Sequence, residues 1–179
     1  MPPLEIFFSY AHKDETLVTE LEKQLSLLRN QGLISNWTDR KILSGQNFVD
    51  AIDTHIITSD IILLLISSDF MASDYCYGNE MKRAMERHNH GDAVVIPIIL
   101  RQTDWKQAPF GQLQALPKDG KPVKSFGDQD EAFYEVAIGI RTVVESIAAQ
   151  KQQLAQQLAQ LKATPFKDGT NPFDVFKDG

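Results

Sequence analysis

The sequence predicts a parallel, three-layer α/β domain, and three observations carry that prediction. Short apolar runs alternate with stretches of helical periodicity along most of the chain. The middle runs, IILLLI within 60–67 and AVVIPIIL at 93–100, are continuously apolar, as strands buried on both faces must be. The intervening segments are long enough for the crossovers that parallel strands need.

The elements follow in order. LEIFFS (4–9) is a first strand and YAHKDE the loop after it. Leu17, Leu21, Leu25 and Leu28 recur at helical spacing over 14–31, with Asp14 placed as N-cap and Gly32 as the C-terminal stop. LISNW (33–37) is a second strand, and the polar, Gly-containing TDRKILSGQN (38–47) a loop. Phe48, Ile52 and Ile56 share one face of the next helix, which leads into the strand at 60–67. A helix over 73–88 follows, with Ser73 at its start. Pro97 is awkward within the strand at 93–100, because it removes a ladder donor; an edge position or a bulge would resolve it. Residues 101–122 read as loop, KPVKSF (121–126) as a weak last strand, and 129–149 as a helix with Phe133, Val136, Ile140, Val143 and Ile147 inward.

The domain therefore spans 1–149, and 150–179 reads as a helical extension and linker leading to a further domain. Leu154, Leu158 and Leu161 lie at i, i+4 and i+7 in a Gln/Ala-rich stretch, too few to define a coiled coil by themselves. The tail then repeats Phe-Lys-Asp-Gly at 166–169 and 176–179.

A net charge of −6 argues against nucleic acid or an anionic membrane as the main partner. The single cysteine allows no internal disulfide, and with no targeting motif the chain reads as cytoplasmic. Its longest apolar run is far too short to span a membrane. Neither G-x-G-x-x-G nor G-x-S-x-G occurs, and Gly120-Lys121 precedes Pro122 where a P-loop needs Ser or Thr. The four histidines lack the Cys or carboxylate cluster of a metal site; His88 and His90 suit a helix end.

SDYCYGNEM (73–81) is the odd stretch. It sets a glutamate, Glu80, one helical turn after the lone cysteine, Cys76, among tyrosines. A core face does not favour the carboxylate, and a surface face does not favour the cysteine. A partly buried pocket suits both, and ligands of parallel sheets bind at the carboxyl ends of strands.

Together FFSYAHKDE, WTDRKILSGQNF, IILLLISSDFMASDYCYGNEM and IPIILRQTDW, in this order and spacing, resemble the TIR (Toll/interleukin receptor) domain in its bacterial form, over about residues 4–149. The resemblance implies a flavodoxin-like three-layer sandwich with a five-stranded parallel sheet. It also implies one of two functions: cleavage of the nicotinamide–ribose bond of NAD+, or non-catalytic TIR–TIR assembly. In enzymatic members a glutamate on the helix after the third strand is essential, and Glu80 matches it. Plant and animal members place a cysteine three residues before that glutamate; here Cys76 lies four before. Candidates for the aromatic wall are Phe8, Tyr10, Trp37, Tyr77 and Trp105. Arg40 or Lys41 would meet the pyrophosphate and Ser9 or Ser44 donate to it, with Asp39 and Gly45 in the same loop. NAD+ is then the substrate, with no other cofactor, and further copies of the domain, joined head to tail, are the partners.

Each residue has a plainer role. Glu80 would be a solvated residue paired with Arg83, Cys76 a small buried hydrophobe, Trp37 a cap on the core. Asp39 and Gly45 would only shape the loop, and Asp14 would only cap a helix.

Overall fold

The computed structural model describes residues 2–37 and 55–163. Four parallel strands form the sheet: β1 Leu4–Ser9, β2 Ile34–Trp37, β3 Ile61–Ile66 and β4 Val94–Ile99. Their order is β2-β1-β3-β4. The chain thus reverses direction across the sheet between β2 and β3, the topology that opens a crevice at the carboxyl ends of the two central strands.

Every residue of β3 is buried, so its continuous apolar run reflects cover on both faces. Phe7, Ile62, Leu64 and Ile66 face one apolar cluster, which also holds Phe70, Cys76, Met81 and Trp105. Their neighbours of opposite parity, Ile6, Phe8, Leu63 and Leu65, are equally buried and point to the other face.

Helix α1 spans Glu15–Gln24 and α2 Ser26–Asn30. Gly32 ends α2 as expected: at φ 69 its N–H bonds Arg29 O while Leu33 N–H reaches back to Leu28 O. That is the paired bonding of a Schellman end. Asp14 sits at the N-cap position of α1 but its side chain makes no cap bond; it is turned inward instead. Residues 55–58 are helical; the expected start of that helix at 48–54 and the loop 38–47 lie outside the described residues.

Two elements intervene between β3 and β4 before a regular helix begins. Ser67 caps α3, Ser68–Ala72, by accepting from Phe70 N–H at 3.0 Å. Asp74–Glu80 then winds as a π turn, with Ser73 Oγ accepting from Cys76 N–H at its start and Met81 N–H bonding Cys76 O at its end. Helix α4 runs Met81–His90 and stops at Gly91, φ 77, with His88 and His90 in its last turn.

The expected fifth strand is corrected by the structure. Residues Val123–Ser125 form a 3-10 turn, set up by Pro122, and four strands are found among the described residues. The outer edge of β4 is met by a one-residue parallel bridge from Leu116 to Ile98. Leu116 N–H donates to Pro97 O and Ile99 N–H to Leu116 O. A residue of a parallel strand turns its C=O and its N–H position to the same side. Pro97's missing donor therefore faces this sparsely paired edge, which resolves the awkward proline.

Helix α5 spans Gln129–Ala163. Phe133, Val136 and Ile140 are buried as expected, but the next inward residue is Val144 and not Val143, because spacings of three, four and four keep one face. The chain divides into two compact units after Val144, a few residues before the expected boundary. The first holds the sheet; the second, in its described part, is the remainder of α5.

Candidate functional site

Ser9 ends β1 and shares its face with Phe7, two residues before. That face looks toward the π turn. Ser9 Oγ donates to Glu80 Oε2 in a short hydrogen bond. Glu80 is 6 % exposed, so the reading of it as a solvated helix residue is wrong. Burying a carboxylate is costly unless its oxygens are bonded, and Ser9 supplies one such bond.

The π turn bears on the offset between cysteine and glutamate. A π turn takes i→i+5 bonds and holds more residues than an α turn. Residues four apart within it lie almost above one another, so Glu80 stacks one turn on from Cys76. The extra residue relative to the three-residue offset is absorbed in the wider turn. Cys76 is buried as well, and its Sγ lies 3.4 Å from Tyr10 O as a weak donor. Ser9, Tyr10, Cys76 and Glu80 are thereby joined at the carboxyl end of β1.

Tyr77 packs, partly buried, against the same apolar cluster, of which Trp105 is a member. Trp105 also walls a cavity of about 480 Å³ after β4, with Thr103, Lys106 and Asp119 among its lining. Gly120 lies against the Trp105 ring so closely that a Cβ there would sit 2.5 Å from a ring carbon. Phe8 is not brought to the site: the strand alternation turns it to the opposite face, where it is fully buried. Trp37 ends β2 beside Phe7. Asp39, Arg40, Lys41, Ser44 and Gly45 lie outside the described residues.

A second polar cluster occupies the same edge and was not foreseen. Asp14, 2 % exposed, accepts a short hydrogen bond from Ser67 Oγ. Arg101, which follows β4, places Nε 2.9 Å from Asp14 Oδ1, close enough for an ion pair but not aligned for a hydrogen bond. Its Nη2 donates to Asp69 Oδ2, and Lys13 Nζ lies 3.5 Å from Asp69 Oδ1. The hydrogen bond from Arg101, with the charges of Arg101 and Lys13, holds the Asp69 carboxyl below its ordinary range against a weaker opposing effect of desolvation. Asp69 in turn raises the Arg101 guanidinium. Among the described residues no group of His, Cys, Asp and Glu could hold a metal ion.

A doubly covered parallel sheet with a carboxylate buried at the carboxyl end of its central strands defines a class of α/β domain with its site at the switch of strand order. The particular family follows from comparison. A model of the TIR domain matches residues 6–135, and the chain belongs to the TIR domain family. Over 136 residues it is 60% identical to protein y4lF of Sinorhizobium fredii (strain NBRC 101917 / NGR234), covering 76% of this chain and 42% of that protein. The chain thus matches less than half the length of that relative. Among solved structures, the TIR domain of the Toll-related receptor TRR-2 from Hydra magnipapillata is similar at 21% identity, with a TM-score of 0.45 over 55% of this chain and 72% of that one. Among the described residues no helix is long and apolar enough to cross a membrane.

Proposed function

We propose that this domain is an NAD+ nucleosidase that breaks the bond between nicotinamide and ribose. The observation that carries the reading is the buried Glu80 carboxylate, bonded by Ser9 at the carboxyl end of the sheet. The chemistry asks little more of the protein. The C1′–N bond breaks with its electron pair passing to a cationic pyridinium, which leaves as neutral nicotinamide, so no general acid is required. What remains is to stabilise an oxocarbenium-like ribose and hold its geometry. A carboxylate that accepts from the ribose hydroxyls and faces the developing cation supplies both. Water, or a nitrogen of the adenine ring, then bonds C1′ and a proton is released.

In this reading Glu80 is the catalytic residue and Ser9 orients it. Tyr10, Tyr77 and Trp105 remain candidates for the nicotinamide wall, Trp37 and the loop 38–47 for the rest of the substrate. No cofactor beyond the substrate is needed. Association of copies through that loop would order the site, so specific activity rises with protein concentration. The biological role that fits is a cytoplasmic defence or cell-death effector that depletes NAD+.

Incubation with NAD+ at several protein concentrations, with free nicotinamide as readout, tests the proposal. Release by the wild type and none by Glu80→Gln supports it. No release by crowded, correctly folded wild-type protein overturns it and leaves a non-catalytic TIR–TIR assembly module.

A further inference from the structure

The bonds around the buried glutamate close on themselves. Ser9 Oγ donates to Glu80 Oε2. The next residue, Met81, bonds through its N–H to Cys76 O and ends the π turn. Cys76 Sγ donates in turn to Tyr10 O at 3.4 Å, and Tyr10 follows Ser9 in the chain. The path from Ser9 through Glu80, Met81, Cys76 and Tyr10 back to Ser9 is a ring closed by three hydrogen bonds. The N–H of Cys76 is engaged as well, by Ser73 Oγ at 3.2 Å. Cys76 thus uses its N–H, its C=O and its thiol to fix the start of the turn, its end and its place on the strand.

The winding and the spacing fit each other. In a π turn the C=O of residue i meets the N–H of i+5. A cysteine four residues before a glutamate then bonds the N–H just after that glutamate. In an α turn the C=O meets the N–H of i+4, and the same ring would close with an offset of three. The offset of four in this chain and its π winding are two halves of one arrangement. Gly78, inside the turn, is the residue that could be spared. A Cβ there would meet nothing within 4 Å, and its φ is not among the positive ones, so neither packing nor backbone conformation requires it.

We propose that Cys76 is a positioning residue, which closes the ring that holds the Glu80 carboxylate against Ser9 and does not itself touch the substrate. Its effect on turnover rests on the reading of Glu80 as the catalytic carboxylate; its effect on the carboxylate does not. Cys76 is 7% exposed and its thiol is committed to the strand end, which suits a part of the frame. A thiol is a weak donor, so opening the ring there shifts Glu80 while the backbone bonds of the turn persist.

Carbon-13 NMR of the side-chain carboxyls reads the glutamate directly, its resonance assigned by absence from Glu80→Gln. Cys76→Ala removes the donor and is expected to move that resonance; Cys76→Ser keeps a donor and should move it less. Deletion of Gly78 leaves the cysteine in place and sets the offset for an α turn. It is expected to keep both the melting temperature and the resonance near those of wild type. An unmoved resonance in Cys76→Ala, or equal displacement by Ala and Ser, overturns the proposal. So does a Gly78 deletion that unfolds the domain or displaces the resonance as far as Cys76→Ala does. With NAD+, Cys76→Ala should lower kcat about tenfold, less than the loss that follows a misplacement of about 1 Å, at unchanged KM. A raised KM at unchanged kcat would make Cys76 a substrate contact and overturn the positioning role. If the wild type releases no nicotinamide, the proposed activity fails, and the carboxyl resonance still decides the ring.

Discussion

Two carboxylates are buried at the same edge of the sheet, and each is met by a serine from the neighbouring strand's connection. Ser9, ending β1, bonds Glu80 in the segment after β3; Ser67, just after β3, bonds Asp14 in the segment after β1. The exchange crosses over, tying the two central strand ends together twice. The two carboxylates differ in their setting. Asp14 has a guanidinium 2.9 Å away, and Arg101 passes on to Asp69 and α3. That cluster is built like a structural tie, in which a buried charge is answered by an opposite one. Glu80 is bonded by a neutral hydroxyl on a π turn, an irregular winding that often marks functional positions. A buried acid within an ion-pair cluster supports the fold, whereas the role proposed for Glu80 rests on its place on a π turn at a strand-end crevice.

The sharpest way to break this contrast is to neutralise each carboxylate in turn. Glu80→Gln keeps the size and shape of the side chain. It is expected to lower nicotinamide release at least about 100-fold, the scale of losing one electrostatic contact to a transition state, while the melting temperature barely moves. Asp14→Ala should do the opposite. It breaks a buried pair and takes the acceptor from Arg101 Nε and Ser67 Oγ, while Asp69 still holds Arg101 Nη2, at a cost of about 3 kcal/mol, the low end for such pairs because Arg101 is 32% exposed. Urea unfolding checks the loss, and turnover per folded molecule should hold. If Asp14→Ala abolishes turnover without loss of stability, the two roles are assigned the wrong way round.

Ser9→Ala sharpens the comparison from the other partner. It removes one hydrogen bond to a buried charge, worth about 1.5 kcal/mol, expected as roughly a tenfold fall in kcat with small change in KM. Ser9→Thr keeps the hydroxyl and should recover part of the rate. An equal fall for both variants would mean that Ser9 acts by packing alone.

What could be read from the sequence divides along the same line. β3 and β4 were legible because doubly buried strands must be apolar without interruption, β1 from its short run Ile6-Phe7-Phe8, and Gly32 because a helix end at positive φ favours glycine. Glu80 stood out as a carboxylate beside a buried-type cysteine, and its role rested on the family resemblance. The fifth strand was misplaced because the family resemblance implied one and Lys-Pro-Val-Lys-Ser-Phe was a weak run in its place, while the edge contact is one residue, Leu116, within a stretch lacking periodicity. The π turn was hidden because α and π windings of SDYCYGNE bury similar residues. Asp14 was read as a cap because Asp before a helix usually is one. Its partners, Ser67 and Arg101, lie 53 residues away in the first case and across the sheet in the second, and no local pattern reports contacts formed by topology.

The outer end of the tie gives the smallest effect. Asp69 is more exposed than Asp14 and holds Arg101 from the solvent side. Its carboxyl is held below the ordinary value of 3.8, first by the Arg101 hydrogen bond. A carboxyl with a folded-state pKa below its unfolded value binds fewer protons folded than unfolded, so its contribution is present above 3.8 and fades as pH falls through the folded value. Asp69→Asn should therefore be slightly less stable than wild type at neutral pH, with the two converging in acid below 3.8. Added salt should narrow the neutral-pH gap too, because an exposed pair is screened. Denaturant midpoints measured from pH 7 down to about 2.5 give the test across the window in which these carboxyls titrate. A gap that stays constant to the acid end would show that Asp69 acts through shape rather than charge, and that the tie ends at Arg101.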